Sequence, residues 1–260
     1  MGEAAIKMAS LLKYESAGTV EFLFDEKTKE FYFLEMNTRL QVEHPVTEEV
    51  TGIDLVREQL KIANGDPLSI SQDDVEIIGS SIEVRLYSED PGNDFLPVTG
   101  KLIAFDPCEE PLVRWDVGVE SGSEITPNFD PMLAKIISYG EDRIEAANKL
   151  ALALEKSHFG GLKTNRDYLI AILRSEEFLK GNTTTDFLNQ ANIKDEINLT
   201  KEEVLFTAIS ASMWVQGKNR NDSEVLSNLA SGCNNARLPN QEVNFDYSGE
   251  KISIKYKRNR

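Results

Sequence analysis

The sequence predicts an α+β fold, with a β-hairpin near the amino terminus and a mixed unit of strands and helices after it. Residues 18–25 and 30–37 are rich in β-branched and aromatic side chains and flank a polar turn, which predicts an antiparallel hairpin. Residues 77–90 alternate polar and apolar side chains as a half-buried strand does, and residues 141–156 repeat apolar side chains at helical spacing. Hairpin, strand and helix together define the class.

Composition narrows the function classes. The 260 residues allow one large or two medium domains, and the net charge of −16 argues against nucleic acid or an anionic membrane as a partner. No apolar run approaches ~20 residues, so we expect no transmembrane helix. Cys108 and Cys233 are far apart and lack metal-ligand spacing, which indicates a reduced, intracellular protein.

The elements around the hairpin follow from apolar spacing and capping residues. Residues 3–13 predict an amphipathic helix that packs behind the hairpin. Residues 54–63 predict a second helix, with Asp54 as its N-cap and Asn64 and Gly65 at its end.

The later elements follow from the same patterns. In the strand at 77–90 we expect the buried face to consist of Ile82, Val84 and Leu86, and the opposite face of Ser81, Glu83, Arg85 and Tyr87. Residues 132–140 predict a core strand, and Asn165 is a candidate cap for a helix after it. For the helix at 141–156 we expect one buried face made of Ile144, Ala147, Leu150, Ala151 and Leu154. Residues 202–215 look helical, and strands are expected at 243–247 and 252–257.

A row of polar residues extends from the second hairpin strand. If the strand stays extended, one face carries Glu35, Asn37, Arg39, Gln41 and Glu43, and the other carries Met36, Leu40 and Val42. A solvated edge strand can have the same pattern, and for generic charge alternation that is the better explanation.

The hairpin register favours a functional row. If the turn is centred on Thr28, residues whose numbers sum to 56 face each other, which pairs Phe24 with Tyr32, Phe22 with Leu34 and Glu21 with Glu35.

Two facing carboxylates repel each other unless a cation lies between them. Glu21, Glu35 and Asn37 offer only oxygen ligands, which suits Mg²⁺ or Mn²⁺ better than Zn²⁺. Because Mg²⁺ usually completes its shell with phosphate oxygens and water, a nucleotide site is indicated. The plain alternative is that Glu21 is a solvent-facing strand residue.

The hairpin followed by EMNTRLQVEHPVTE resembles the C-terminal part of the ATP-grasp domain of biotin carboxylase, in the form found in α subunits of methylcrotonyl-, propionyl- and acetyl-CoA carboxylases. ATP-grasp ligases in general share the hairpin and the Glu-x-Asn pair, whereas RLQVEHPVTE is typical of biotin-dependent carboxylases. EVRLYSEDP, RWDVGV, FDPMLAKII and GLKTNRDYLIAIL resemble the C-terminal domain of the same family.

The resemblance implies three segments. Residues 1–73 correspond to the C-terminal part of the ATP-grasp domain, with an antiparallel sheet and flanking helices, and residues 74–190 to the mixed α/β biotin carboxylase C-terminal domain. Residues 195–260 resemble the incomplete beginning of a β-rich linker or subunit-contact domain. The family's glycine-rich lid and ATP-binding lysines precede these motifs, and its biotinyl carrier follows them. We therefore expect a piece of a longer subunit that is inactive alone.

The resemblance also implies roles in MgATP-driven carboxylation of biotin by bicarbonate through carboxyphosphate. Glu21, Glu35 and Asn37 would hold two Mg²⁺ or Mn²⁺ ions that bridge the ATP phosphates. Leu23 and Leu34, expected opposite the carboxylates, would floor the adenine pocket, although ordinary core packing explains them equally well.

The remaining roles concern bicarbonate and biotin. Arg39 would bind bicarbonate bidentately, with Gln41 and the Val42 N–H completing the anion cradle. Glu43 would be the general base that takes the bicarbonate proton. Arg85 would stabilise the enolate-like oxygen of biotin, although on residues alone it could be a surface arginine.

Cofactors and partners follow from the same resemblance. They are ATP, two Mg²⁺ or Mn²⁺ ions, biotin on a carrier domain outside this chain, and a carboxyltransferase β subunit in a larger complex that contains homo-oligomers. No nucleic acid or membrane partner is expected. The compartment is the cytoplasm, or the mitochondrial matrix if the source is eukaryotic. Residues 227–241 favour a short-chain acyl-CoA acceptor without identifying it. Two alternatives stay open: an ATP-grasp ligase with another acceptor, and a non-catalytic assembly fragment.

Overall fold

The computed structural model describes residues 1–191, 193, 199–222, 240–247 and 249–257. The chain divides into an amino-terminal unit, Met1–Asp195, and a carboxy-terminal unit, Glu196–Arg260. Cys233 and nearly all of the 227–241 stretch lie outside the described residues. None of the helices in the described part is long and apolar enough to cross a membrane.

The amino-terminal unit begins with a helix, a hairpin and two further helices: α1 (Gly2–Leu12), β1 (Thr19–Phe24), β2 (Phe31–Asn37), α2 (His44–Thr51) and α3 (Leu55–Ala63). It continues with β3 (Ser80–Tyr87), β4 (Glu89–Asp90), β5 (Leu96–Pro97), β6 (Gly100–Lys101), β7 (Ala104–Asp106), β8 (Arg114–Val117), β9 (Glu124–Ile125), β10 (Met132–Gly140), α4 (Arg143–Lys156), β11 (His158–Gly160), α5 (Arg166–Arg174), α6 (Glu176–Lys180) and α7 (Phe187–Gln190).

The hairpin has the predicted register at the carboxylates and a different one near the turn. Glu21 lies opposite Glu35 as expected, but a bulge follows, so that Phe22 pairs with Phe33. The predicted partners of Phe22 and Phe24, Leu34 and Tyr32, are therefore wrong by one residue. The physical reason is that β2 contains one extra residue at the bulge, which ends the constant sum of paired numbers.

The apolar side chains on either side of the hairpin turn are exposed. Leu23, Phe24, Phe31, Tyr32, Phe33 and Leu34 all keep more than a third of their surface accessible. Ordinary core packing of Leu23 and Leu34 is therefore wrong within the described residues. Helix α1, predicted to pack behind the hairpin, has no fully buried side chain and so contributes no core residue there.

Only the first residues of the polar row lie in the strand. β2 ends at Asn37, residues 38–43 form a loop and turn, and α2 begins at His44. The prediction of an extended strand through Glu43 is therefore wrong beyond Asn37. Pro45, in the first turn of α2, explains the helix start, because its fixed φ suits that position and its missing N–H costs no helical hydrogen bond there.

The core lies around the antiparallel sheet β3–β10–β8. Ile82, Val84 and Leu86 are buried on one face of β3, as predicted, and α4 and α5 pack there. Helix α2 contacts β3 and β10 and thereby places the loop before it beside this sheet. In α4 the predicted Ala147, Leu150, Ala151 and Leu154 are buried, whereas Ile144 is 52% exposed because it lies at the edge of the apolar stripe.

Two predicted caps have different outcomes. Asp54 caps α3 by accepting a hydrogen bond of 2.8 Å from the backbone N–H of Arg57. Asn165 precedes α5 but makes no capping bond. Instead its side chain accepts from the N–H of Tyr87 at 2.9 Å and donates to the carbonyl of Arg85 at 3.1 Å. Asn165 therefore holds the backbone of β3.

The carboxy-terminal unit has the predicted helix and strand pair. α8 (Lys201–Asn221) begins with a capping box between Thr200 and Glu203. β12 (Gln241–Tyr247) and β13 (Glu250–Tyr256) form an antiparallel hairpin. In this unit Ala208 and Ser212 of α8 and Ile254 of β13 are buried, which gives a small apolar contact between helix and hairpin.

Candidate functional site: a carboxylate pair and a polar loop

The carboxylates of Glu21 and Glu35 project from directly opposed positions of β1 and β2. The amide nitrogen of Asn37 donates to both, at 2.8 Å to Glu21 and 3.1 Å to Glu35. Gln41 adds a third hydrogen bond, of 2.9 Å, to the same oxygen of Glu21. These N–H dipoles offset part of the repulsion between the two carboxylates.

This arrangement fits a hard divalent cation. A half-turn of the Asn37 amide exchanges its nitrogen for its oxygen, which would face the carboxylates as a ligand. Among the described residues there is no group of three or more His, Cys, Asp or Glu that could hold a metal. A cation between Glu21 and Glu35 would therefore need phosphate oxygens or water to fill its shell, which is the usual situation of protein-bound Mg²⁺.

Arg39 continues the row. Its guanidinium donates to the carbonyl of Leu40 at 3.2 Å and to Asn37 at 3.5 Å. Within the described ranges it forms no ion pair, and its side chain is exposed. The planar donor set is thus available to an external anion.

Glu43 meets a residue from the distant sheet. Arg85 of β3 donates to its carboxylate at 2.8 Å, and both side chains are roughly half exposed. The sequence nominated both residues but gave no sign of their contact. The structure therefore brings Arg85 to the end of the same polar row.

Residues to which the sequence analysis gave no role hold this loop against the sheet. Lys135 of β10 donates to the carbonyl of Val42 at 2.9 Å and pairs with Asp116 of β8 at 3.2 Å. Arg114 of β8 forms ion pairs with Asp116 at 3.0 Å and with Glu48 of α2 at 2.7 Å. Burial alone would raise the pKa of Asp116, but hydrogen bonds and charge from Arg114 and Lys135 outweigh it and lower that pKa. The sequence signal for this contact was Lys135 itself, a charged residue within the largely apolar strand at 132–140.

Glu83 is a further residue to which the sequence analysis gave no role in the site. It lies on the face of β3 that carries Arg85, and neither of its buried carboxylate oxygens has a hydrogen-bond partner. Burial raises its pKa to about 7, against the lowering effect of Lys135 and Arg85. The negative charges of Glu43 and Asp116 add to the rise.

The remaining nominated residues lie on the two hairpin strands and are exposed. Leu23 and Leu34 are 58% and 62% exposed. A shallow groove between α2 and α3, walled by Glu48, Val56 and Arg114, lies apart from the row.

Two family models match the chain over different segments. Residues 1–71 match the carbamoyl-phosphate synthase L chain ATP binding domain, and residues 83–190 match the biotin carboxylase C-terminal domain. The chain therefore carries a biotin carboxylase C-terminal domain, preceded by an ATP-binding segment of the carbamoyl-phosphate synthase type.

Individual relatives support the assignment made from the family models. Biotin carboxylase 2 of Bacillus subtilis is 49% identical over 190 residues, which is 73% of this chain and 42% of the Bacillus protein. The mitochondrial methylcrotonoyl-CoA carboxylase subunit alpha of Rattus norvegicus is 38% identical over 264 aligned positions, covering 100% of this chain and 35% of that subunit. The chain thus spans less than half the length of these relatives.

A solved structure supports the fold. The biotin carboxylase domain of Hydrogenobacter thermophilus 2-oxoglutarate carboxylase, in complex with MgADP, ADP and bicarbonate, aligns with a TM-score of 0.73 at 38% identity. The match covers 76% of this chain and 44% of that domain. The predicted resemblance and the α+β fold class, with a biotin carboxylase-type ATP-grasp portion, are confirmed: the chain is a homologue of biotin carboxylases and of acyl-CoA carboxylase α subunits.

Proposed function

We propose that the chain provides part of the active site for MgATP-driven carboxylation of carrier-bound biotin by bicarbonate. One observation carries the proposal: hydrogen bonds join the nominated side chains of Glu21, Glu35, Asn37 and Arg39 into one row, beside the pair of Glu43 with Arg85. A solvated edge strand would not require these groups to converge.

Glu21 and Glu35, with the oxygen of Asn37, would hold divalent metal ions against the ATP phosphates. Mg²⁺ or Mn²⁺ bound there would neutralise charge as the γ-phosphoryl group moves to bicarbonate. The exposure of Leu23 and Leu34 on the same hairpin is compatible with their facing an adenine. The printed ligands of the Hydrogenobacter domain, MgADP and bicarbonate, support this chemistry.

Arg39 and the Val42 N–H would bind bicarbonate, and Gln41 would join them on release from Glu21. Glu43 would accept the bicarbonate proton before attack on phosphorus. In the structure one oxygen of the Glu43 carboxylate accepts a hydrogen bond from Arg85 at 2.8 Å. We expect this pair to open when Glu43 accepts the bicarbonate proton, which would free Arg85 to stabilise the oxygen of biotin.

Segment boundaries at 1–73, 74–190 and 195–260 belong to the same proposal. So do a biotinyl carrier domain, a carboxyltransferase β subunit and homo-oligomers as partners, with the cytoplasm as the preferred compartment. The relatives named above include a bacterial enzyme and a mitochondrial subunit, so the mitochondrial matrix is the alternative compartment.

The test uses a chimera in which this chain replaces the matching segment of the Bacillus biotin carboxylase. We expect Mg²⁺-dependent ATP hydrolysis that requires bicarbonate and rises with free biotin, and a loss of about 10²–10⁴-fold in kcat for Glu43→Gln. Glu49→Gln, on the adjoining helix α2, is the matched control and should retain activity. An unaffected Glu43→Gln variant would remove the base assignment.

A second candidate is an ATP-grasp ligase with another acceptor, which the match of residues 1–71 to a carbamoyl-phosphate synthase domain favours. It predicts hydrolysis in the same chimera that is indifferent to biotin. The third possibility, a non-catalytic assembly fragment, predicts no hydrolysis above background in a folded chimera.

A further inference from the structure

Both peptide groups that flank Val42 are held by hydrogen bonds to their carbonyls. The Gln41 carbonyl accepts from the backbone N–H of His44 at 3.3 Å and from its ring Nδ1 at 2.7 Å. Because a carbonyl oxygen only accepts, Nδ1 carries the proton in this contact. The Val42 carbonyl accepts from Nζ of Lys135 at 2.9 Å. Together these bonds fix the direction of the Val42 N–H and the start of the Glu43 residue.

Lys135 is itself fixed. It lies in the central strand β10, opposite Arg85 of β3 and Asp116 of β8. Its side chain is 13% exposed, and its ammonium group pairs with Asp116 at 3.2 Å. A largely buried ammonium is stable only when its hydrogen-bonding capacity is used, so its contacts with Asp116 and Val42 hold it in one position.

A purely structural lysine would look similar in one respect. Lys149 of α4 also donates to a backbone carbonyl, that of Tyr139 at 2.7 Å, and pairs with Glu145 at 3.5 Å. What distinguishes Lys135 is its acceptor, which lies between the proposed anion donor Val42 and the proposed base Glu43. Its contact bridges 93 positions of sequence, from the sheet to the loop.

We propose that Lys135 is a positioning residue for bicarbonate: it touches no substrate, but it orients the Val42–Glu43 peptide and so fixes the backbone that links the Val42 N–H, whose own peptide is held by His44, to the Glu43 carboxylate. This inference rests on the proposed function, because it concerns the same anion site. Without Lys135 the loop keeps its side chains and loses its fixed backbone, so anion binding weakens while the fold remains.

The experiment uses the full 260-residue chain labelled with carbonyl-¹³C glutamine and ¹⁵N valine. Gln41–Val42 is the only Gln-Val pair in the sequence, so the Val42 amide signal is identified without further assignment. Sodium bicarbonate is titrated at pH 8 against sodium chloride at matched ionic strength. We expect a saturable shift of the Val42 amide in the wild type and an apparent Kd raised about tenfold in Lys135→Met, the size expected for losing one hydrogen bond. Lys149→Met should behave as the wild type.

The outcomes separate the two proposals. A wild-type Val42 signal that ignores bicarbonate would overturn the proposed anion site itself. A wild-type response that is unchanged in Lys135→Met would overturn the role of Lys135 alone. The other valine amides report whether each variant is folded. If Lys135→Met is not folded, Lys135→Arg, which keeps the charge but displaces the donor, is judged by the same criterion.

Discussion

The hairpin β1–β2 and the sheet β3–β10–β8 have opposite properties. The hairpin carries the carboxylate pair on a two-stranded ribbon whose apolar side chains are exposed, whereas the sheet buries Leu86, Ile136 and Leu133 almost completely. The chemical groups of the site thus lie on the weakly packed element. The loop after the hairpin is held against the sheet by hydrogen bonds from Lys135 and Arg85.

The largest expected effect is on the free energy of unfolding, and it tests whether the sheet is packed more tightly than the hairpin. Leu86→Ala should lower the free energy of unfolding of the amino-terminal unit by about 2–5 kcal/mol, because it leaves a cavity in the core. Leu34→Ala in the hairpin, where the side chain is 62% exposed, should cost less than about 0.5 kcal/mol. Urea unfolding followed by Trp115 fluorescence, in a Trp214→Phe background, measures both. Equal losses would contradict the contrast between the two elements.

A smaller effect concerns the strand that carries Arg85. Asn165→Ala should cost about 1–3 kcal/mol, because the part-buried N–H of Tyr87 and carbonyl of Arg85 lose their side-chain partner. Asp54→Ala, which removes an ordinary cap on α3, is the comparison and should cost about 1 kcal/mol. The same unfolding assay applies, and an Asn165→Ala variant as stable as the wild type would show that β3 holds its position without this residue.

The smallest effect is a dependence on pH. The pKa of Glu83 rises from 4.5 in the unfolded chain to about 7 in the folded one, because burial disfavours its charged form. Between these values the folded state binds more protons than the unfolded state, so stability falls as pH rises from about 4.5 to about 7 and stays reduced above that.

Glu83→Gln removes this titration. We expect the variant to exceed the wild type in unfolding free energy by about 1–2 kcal/mol at pH 8, discounted for partial solvent screening, and to match it near pH 4. Glu26→Gln, in the exposed hairpin turn, should show no such difference. A constant gap between Glu83→Gln and the wild type across this pH range would exclude Glu83 as the titrating group.

Part of the fold and of the candidate site was predictable because it depends on neighbours in sequence or on simple periodicity. The alternation in 77–90 gave the buried face of β3, and a turn centred on Thr28 gave the opposed pair Glu21 and Glu35. The bulge beside that pair was not predictable, since an extra residue leaves no mark in an apolar run. Nor was the exit from the strand at Asn37 predictable, because the alternating polar pattern continues through Glu43.

The sequence by itself determined the fold class, the family and the identity of the polar row, because local patterns and motifs such as RLQVEHPVTE are sufficient to predict them. Only the tertiary structure decided which residues of the row act on each other. The contact of Arg85 with Glu43 joins residues 42 positions apart, and that of Lys135 with Val42 joins residues 93 apart. Such contacts, like the burial of Glu83, depend on how α2 packs against the sheet, and no short stretch of sequence specifies that packing.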